Sequence, residues 1–242
     1  MRSLYGVRRA LRFLFPIRCA CCEKVMVPHH SGMCDACRQT ARVPQIPLCI
    51  YCGQNAKECV CTKRERYYAR CSAAFYYEGS VRQAVFHLKD QGSLTAAQVL
   101  GYHMYRVLRR DMPHLQVDAL VPVPLSRDKK RQRGYNQSMT LCRALAHYMD
   151  KPVWQALKRR NEPEGIDQKN LPRMLRSGNV LGAFEVTDPQ RLRDKVLLLV
   201  DDTRTTGSTV DECAKMLRMA GAKAVYVSVA ATVPMKKEKD DK

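Results

Sequence analysis

Residues 196–209 read VLLLVDDTRTTGST, and this stretch decides the expected fold. Its first five residues, 196–200, are apolar and bounded by charge, which predicts a strand buried on both faces. Asp201 and Asp202 follow, and then a turn of hydroxyl side chains with one glycine. From Val210 the apolar residues recur at helical spacing as far as Gly221, a typical stop. The order is therefore strand, acidic pair, Thr/Gly turn and helix.

The turn between this strand and this helix is suited to a phosphate group. Small side chains and Gly207 let successive backbone N–H groups face one concavity, and the start of a helix adds partial positive charge. The carboxylates beside it offer acceptors for sugar hydroxyls, or for a metal that a sugar holds. The plainer alternative is an ordinary strand–turn–helix joint. A Walker phosphate loop fits less well, because no Lys follows Gly207.

The pattern VDDxxTTGST at residues 200–209 resembles the signature of the type I phosphoribosyltransferases, which bind phosphoribosyl pyrophosphate (PRPP). The resemblance implies that Asp201 and Asp202 contact the ribose hydroxyls. It also implies that the 5′-phosphate is held by the turn residues Thr205, Thr206, Gly207, Ser208 and Thr209. Thr203 and Arg204 depart from the pattern, since the first of these positions is more often apolar. We expect Thr203 to pack, and Arg204 either to reach a phosphate or to face water.

Length and charge narrow the class of protein further. The 242 residues suffice for one domain of ordinary size and a small one. With 42 basic and 23 acidic residues the net charge is +19, which suits nucleic acid or an anionic membrane surface as a partner, although general solubility would also explain it. No stretch approaches the roughly 20 apolar residues of a membrane span, and no secretory signal is recognisable. The sequence thus predicts a cytoplasmic protein, with a place at the inner membrane periphery as the alternative.

Nine of the twelve cysteines lie between Cys19 and Cys61, and such clustering indicates metal rather than disulfides in a cytosolic chain. Paired cysteines on tight knuckles predict one or two structural zinc ions, in sites of four cysteines each. The last pair, Cys59 and Cys61, is Cys-x-Cys and so has a less usual geometry. The first site comprises Cys19, Cys22, Cys34 and Cys37, and the second comprises Cys49, Cys52, Cys59 and Cys61. A crossed pairing of knuckles stays open, Cys21 is a candidate substitute ligand, and an iron–sulfur cluster is the alternative centre. His29 and His30 are interpreted as loop residues.

The remaining chain predicts an α/β fold. Strands expected at 72–77, 117–121, 196–200 and 224–230 alternate with helices, including 94–110 and 137–149. This order favours an open, mainly parallel sheet with helices on both faces and ligand sites at the carboxyl ends of its strands. We expect a basic amphipathic helix at 1–18, a Cys-rich zinc-ribbon domain at 19–65, a phosphoribosyltransferase-like domain at 66–235 and a charged tail at 236–242.

A basic segment follows the second expected strand, with five Lys or Arg residues between positions 127 and 133. It is interpreted as a loop that binds pyrophosphate or a nucleic-acid backbone, or else as a merely solvated loop. Arg131, Arg133 and Lys89 are candidates for pyrophosphate, and Tyr135 offers a face for base stacking. Asn136 is a candidate helix cap. The polar segments 161–165 and 171–178 are interpreted either as a hood over substrate or as ordinary surface loops.

Several motifs together resemble the ComF family of competence-associated proteins. They are VPVPL at 121–125, RGYNQS at 133–138, the segment from Gln168 to Phe184, and the N-terminal entry LFPxxCxxC at 14–22. The resemblance implies PRPP binding with Mg²⁺ and a role in the uptake of single-stranded DNA. It further implies a DNA-uptake helicase or membrane channel proteins as partners. An active transferase of nucleotide metabolism without a DNA role is the alternative, although no residue stands out as a general base. A phospho-acceptor receiver is disfavoured, because it needs no Thr/Gly cradle.

Overall fold

The computed structural model describes residues 16–26, 31–61, 66–160 and 182–234. The expected amphipathic helix up to residue 15, the pair His29 and His30, the candidate hood segments and the charged tail lie outside the described residues. The predictions made for them, and the domain bounds, therefore stay predictions.

The centre of the described structure is a four-stranded parallel sheet in the order β1-β6-β5-β2. Its strands are β1 (Arg70–Tyr76), β2 (Ala119–Pro122), β5 (Val196–Arg204) and β6 (Ala224–Thr232). A separate antiparallel pair joins β3 (Leu157–Arg159) to β4 (Phe184–Val186). The described helices are α1 (Asp35–Thr40), α2 (Gly79–Asp90), α3 (Leu94–Asp111), α4 (Arg127–Arg133), α5 (Gln137–Met149) and α6 (Ser208–Met219), with a short 3-10 turn at Gln190–Leu192.

Helices cover both faces of the sheet, which is why its central strands read as continuous apolar runs. Leu198 and Val200 of β5 face a core built with α2, α3 and α5. Leu197 and Leu199 alternate to the opposite face and pack with α6 and the β3–β4 pair. All four side chains are fully buried. The predicted α/β class with a mainly parallel sheet is confirmed.

Two local expectations were wrong. Strand β5 does not end before the acidic pair but continues to Arg204, because Asp201 and Thr203 still pair with Val229 and Ala231 of β6.

The basic segment 127–133 is not a loop but the two-turn helix α4. Gly134 ends this helix in the left-handed conformation with φ of 77°. None of its residues is buried, so its charges face water.

The Cys-rich segment packs on the edge of the sheet that β1 forms. Backbone hydrogen bonds run from Cys71 to the carbonyl of Ile50 and from Tyr76 to the carbonyl of Arg42, both at 2.8 Å. Short antiparallel bridges, Arg18 with Val25 and Leu48 with Asn55, flank the first and third Cys knuckles. The segment is thus fixed to the α/β body by main-chain contacts.

Across the described ranges, no helix has both the length and the apolar character needed to cross a bilayer.

Candidate phosphate turn and four-cysteine centres

The acidic pair lies at the carboxyl end of β5 with its two carboxylates in different environments. Asp201 Oδ1 accepts hydrogen bonds from Ser138 Oγ at 2.8 Å and from the backbone N–H of Asp202 at 2.9 Å. Burial, together with the negative charge of Asp202, nevertheless raises the pKa of Asp201 to about 7. Asp202 is 4% exposed, and its Oδ2 has no hydrogen-bond partner among the described residues.

Lys89 reaches the acidic pair from the last turn of α2. Its Nζ lies 3.0 Å from Asp202 Oδ1 and 3.3 Å from the hydroxyl oxygen of Thr203. Tyr135 holds this helix end, since its hydroxyl accepts the N–H of Gly92 at 2.8 Å and lies 2.7 Å from the carbonyl oxygen of Lys89. A cation predicted from sequence as a pyrophosphate ligand is therefore placed directly at the carboxylates.

The turn after β5 is built on Arg204. This side chain is 1% exposed and donates to the carbonyl oxygens of Thr205 at 3.2 Å and Thr206 at 3.1 Å. The expectation that Arg204 reaches a phosphate or faces water is wrong, because β5 continues to this residue and its guanidinium lies beneath the turn. Gly207 follows with φ of 86°, and a Cβ there would lie 2.7 Å from Arg204 Nη2. Only glycine fits this position without a shift of Arg204.

The backbone donors of the turn stay available for a ligand. Among the described residues, the N–H groups of Thr205, Thr206 and Gly207 donate no hydrogen bond, and that of Ser208 makes a single 3.4 Å contact with the Thr206 hydroxyl. The hydroxyls of Thr206 and Ser208 lie 3.0 Å apart. Ser208 begins α6, so the positive end of a helix dipole adds to these donors. This arrangement can bind an anion of phosphate size.

The RGYNQS motif supports the acidic pair through hydrogen bonds and does not line it with cations. Asn136 caps α5 by accepting from the N–H of Ser138 at 3.0 Å, and this places Ser138 Oγ on Asp201. Arg133 lies 3.8 Å from Asp90, and Arg131 is exposed on α4. Sequence reasoning did not single out Ser138, although its place inside the motif was the available signal.

The cysteines form two compact groups, Cys19/Cys22/Cys34/Cys37 and Cys49/Cys52/Cys59/Cys61. In each, the sulfur atoms lie within 4.8 Å of one another. Zn–S bonds of about 2.3 Å in a tetrahedron require S–S separations of about 3.8 Å. The observed separations of 3.7 Å for Cys22–Cys34 and 3.5 Å for Cys52–Cys59 fit that requirement. Both groups could therefore bind zinc, and the crossed pairing is not the one adopted.

A zinc ion held by these cysteines would have a structural role and not a catalytic one. Four protein sulfurs close the coordination sphere, so such a centre leaves no open position for a substrate. Backbone N–H groups of Cys34 and Cys61 donate to Cys19 Sγ (3.3 Å) and Cys59 Sγ (3.2 Å). Cys21, the candidate substitute, lies outside both groups, where burial and the charge of Cys19 raise its pKa to about 12.

A basic cleft of about 470 Å³ opens beside the start of α5 and the β3–β4 pair. Of the described residues that line it, one is an acid, Glu185, which is paired with Lys158 at 2.9 Å. The cleft does not include the acidic pair or the turn. Sequence reasoning singled out only the 127–133 side of it, because the other charges come from segments that only folding brings together. Its lining cations are Arg127, Lys130, Arg143, Lys158 and Arg159.

The fold and the site together define an α/β protein with a parallel sheet, a strand–turn–helix unit that can bind an anion, and an N-terminal Cys-rich segment able to bind zinc. Comparisons with known proteins find relatives over most of the chain. DNA utilization protein YhgH of Salmonella typhimurium is 30% identical over 220 residues, which is 88% of this chain and 95% of that protein. Competence protein F of Haemophilus influenzae is 26% identical over 225 residues, covering 88% of this chain and 96% of that protein.

The chain therefore belongs to the family of competence protein F and DNA utilization protein YhgH, the ComF family indicated by its motifs. No protein-family model matches it. Among solved structures, purine phosphoribosyltransferase from Pyrococcus horikoshii is 18% identical with a TM-score of 0.35, covering 60% of this chain and 79% of that one.

Proposed function

We propose that this protein binds PRPP at the Thr/Gly turn and the acidic pair. The observation that carries the proposal is the set of backbone N–H groups at residues 205–207, which donate to no described residue. They begin three residues after Asp202, whose buried Oδ2 likewise has no partner among the described residues. The turn presents donors for a phosphate, and Asp202 Oδ2 presents an acceptor for a ribose hydroxyl. A sugar phosphate carries a phosphate and hydroxyls on one small molecule. It can therefore contact the N–H donors of the turn and the acceptor oxygen of Asp202 at the same time.

Each residue then has a distinct task. Residues 205–209 anchor the 5′-phosphate, and Asp201 with Asp202 orients the ribose. Lys89 exchanges its contact with Asp202 for the incoming pyrophosphate, with Arg131 and Arg133 as further cations on that side. The carboxylate oxygens also fit Mg²⁺, which would neutralise part of the pyrophosphate charge. Transfer of the phosphoribosyl group to a nitrogenous base is the catalytic alternative, for which no general base is assigned.

Calorimetric titration with PRPP and Mg²⁺ tests this proposal. Binding by the wild-type chain and its loss in the double variant Asp201→Asn/Asp202→Asn is the expected result. Asp128→Asn is the matched control, because it removes one carboxylate from the exposed surface of α4. Equal affinity in the wild type and the double variant would refute the site. Release of pyrophosphate on addition of candidate bases would separate an enzyme from a binding protein.

The basic cleft favours a second function, binding of single-stranded nucleic acid. Among the described lining residues, five cations against one paired acid provide a track for a phosphate backbone. One relative is named for DNA utilization and the other for competence. In this proposal the protein acts in DNA uptake beside a helicase or membrane channel proteins. The two functions are compatible, since the cleft and the turn do not share residues.

Salt dependence separates the two functions. Affinity for an oligodeoxythymidine is expected to fall steeply with salt and to survive Asp201→Asn/Asp202→Asn. Lys130→Ala/Arg143→Ala should reduce the slope of log K against log salt by about 1.4, on the basis of roughly 0.7 per lost contact. The control Arg82→Ala/Lys223→Ala removes the same charge away from the cleft and should leave the slope unchanged. No binding at low salt would refute the nucleic-acid function.

A further inference from the structure

The second four-cysteine group and the phosphate turn lie at two ends of one hydrogen-bonded chain. The backbone N–H of Cys49 donates to the carbonyl of Gln54 at 2.8 Å. Gln54, which is 1% exposed, donates through Nε2 to the carbonyl of Val233 at 2.7 Å. The N–H of Val233 in turn donates to the carbonyl of Arg204 at 2.9 Å. Hydrogen bonds thus connect the Cys49 knuckle to Arg204, the residue on which the turn is built.

Arg204 fixes the direction of the backbone donors. A trans peptide is planar, so its C=O and N–H point in opposite directions. Because the guanidinium holds the carbonyls of Thr205 and Thr206, the N–H groups of the same two peptides, on Thr206 and Gly207, point away from it. Arg204 therefore acts as a positioning residue, and without it these two peptides are free to rotate.

The charge of Arg204 also needs compensation inside the protein. Among the described residues it makes no ion pair with a carboxylate, and its buried Nε has no hydrogen-bond partner. The guanidinium is instead held by the carbonyls of Thr205 and Thr206. Its position therefore depends on the strand end that Gln54 and Val233 fix through the carbonyl of Arg204.

We propose that metal binding at the second four-cysteine group and phosphate binding at the turn are coupled through Arg204. This inference rests on the proposed PRPP site. A loaded centre fixes the Cys49 knuckle, and through Gln54 and Val233 it fixes the carbonyl of Arg204. The guanidinium of Arg204 then holds the N–H groups of the turn outward for the ligand. Coupling is reciprocal, so PRPP must strengthen zinc binding by the same factor by which zinc strengthens PRPP binding. We expect a factor of about 10, within the usual range for such couplings.

The test measures zinc affinity of the full chain by competition with a chromogenic chelator, with and without PRPP and Mg²⁺. In the wild type, PRPP should raise the affinity of one of two zinc ions about tenfold. In Arg204→Met this increase should vanish. Arg191→Met is the control, because Arg191 stacks on Trp154 at 4.1 Å and, among the described residues, makes no hydrogen bond to the turn; it should behave like the wild type.

Amide spectra give the readout that a purely structural role would not change. On addition of PRPP, the ¹H–¹⁵N signals of Thr206 and Gly207 should shift in the wild type and not in a folded Arg204→Met. If that variant does not fold, Arg204→Lys replaces it, with partial coupling expected, since one ammonium cannot match the planar guanidinium. PRPP binding with unchanged zinc affinity would overturn the coupling alone. Absence of any PRPP binding to the wild type would overturn both proposals.

Discussion

Lys89 Nζ lies 3.0 Å from Asp202 Oδ1, and this ion pair joins the end of α2 to the end of β5. The contact neutralises one carboxylate of a pair that would otherwise repel. It leaves Asp202 Oδ2 without a partner among the described residues. A ligand that offers a hydroxyl to Asp202 and an anion to Lys89 would satisfy both groups at once. The arrangement is consistent with the proposed sugar phosphate ligand.

The first prediction concerns this lysine. Lys89→Met should lower PRPP affinity by about tenfold or more, since it removes a charge-assisted contact to pyrophosphate. Lys195→Met is the control, because Lys195 also pairs with an aspartate, Asp118 at 3.6 Å, but at the opposite end of β5. Calorimetry measures both affinities. A similar loss in the two variants would show that the effect is one of net charge and not of position.

The second prediction concerns pH. An unfolded aspartate loses its proton near pH 4, whereas native Asp201 keeps it up to about pH 7. The contribution of this group to stability must therefore fall as pH rises from about 4 to 7 and stay level above 7. Asp201→Asn keeps the Oδ1 acceptor without the charge. The free energy of unfolding of this variant, relative to that of the wild type, should therefore increase by about 1 kcal/mol or more between pH 5 and pH 8.

Urea unfolding at the two pH values measures that difference. Asp128→Asn serves as the control, since its carboxylate is exposed on α4. If Asp201→Asn differs from the wild type by the same amount at pH 5 and pH 8, the protonated state of Asp201 is ruled out.

The third prediction concerns Gly207. Gly207→Ala should destabilise the fold by roughly 1–3 kcal/mol, since alanine is strained at φ of 86° and its Cβ would lie 2.7 Å from Arg204 Nη2. Gly134→Ala is the matched control, because φ is 77° there and no atom lies within 4 Å of the added carbon. The difference in unfolding free energy between the two variants isolates the clash with Arg204. Equal losses would mean that the guanidinium moves aside without cost.

The fourth prediction concerns the metal. Elemental analysis should find two zinc ions in the wild type and one in either Cys22→Ser or Cys59→Ser, because each variant opens a different four-cysteine group. Cys21→Ser should retain both ions, since this buried thiol lies outside the groups. Removal of zinc should also lower the melting temperature, because the small Cys-rich segment has little core of its own. A folded protein with no zinc would contradict the prediction.

Elements with strong periodicity followed from sequence. Helix α5 matches the expected bounds of 137–149, because Asn136 caps it and its apolar residues recur on one face. The four-cysteine groups were also predicted, although knuckle spacing left a crossed pairing open and only the structure shows which knuckles meet. The β3–β4 pair was missed, because three-residue strands carry no readable alternation.

Arg204 shows where reasoning from sequence alone failed. An arginine next to a phosphate turn is normally expected to face ligand or water, because burying its charge is costly. Here strand pairing continues through residue 204, and the partners of the guanidinium are the carbonyls of the turn itself. Those partners become apparent only when the backbone path is known.

The amino-acid sequence alone specified the phosphate turn and the metal-binding knuckles, because each is formed by residues that are neighbours along the chain. Tertiary structure decided which distant groups meet them: Lys89 and Ser138 at the carboxylates, Gln54 on the strand end next to Arg204, and five cations around one cleft. Contacts between residues tens of positions apart depend on how the helices pack on the sheet, and that packing leaves no periodic signal in the sequence.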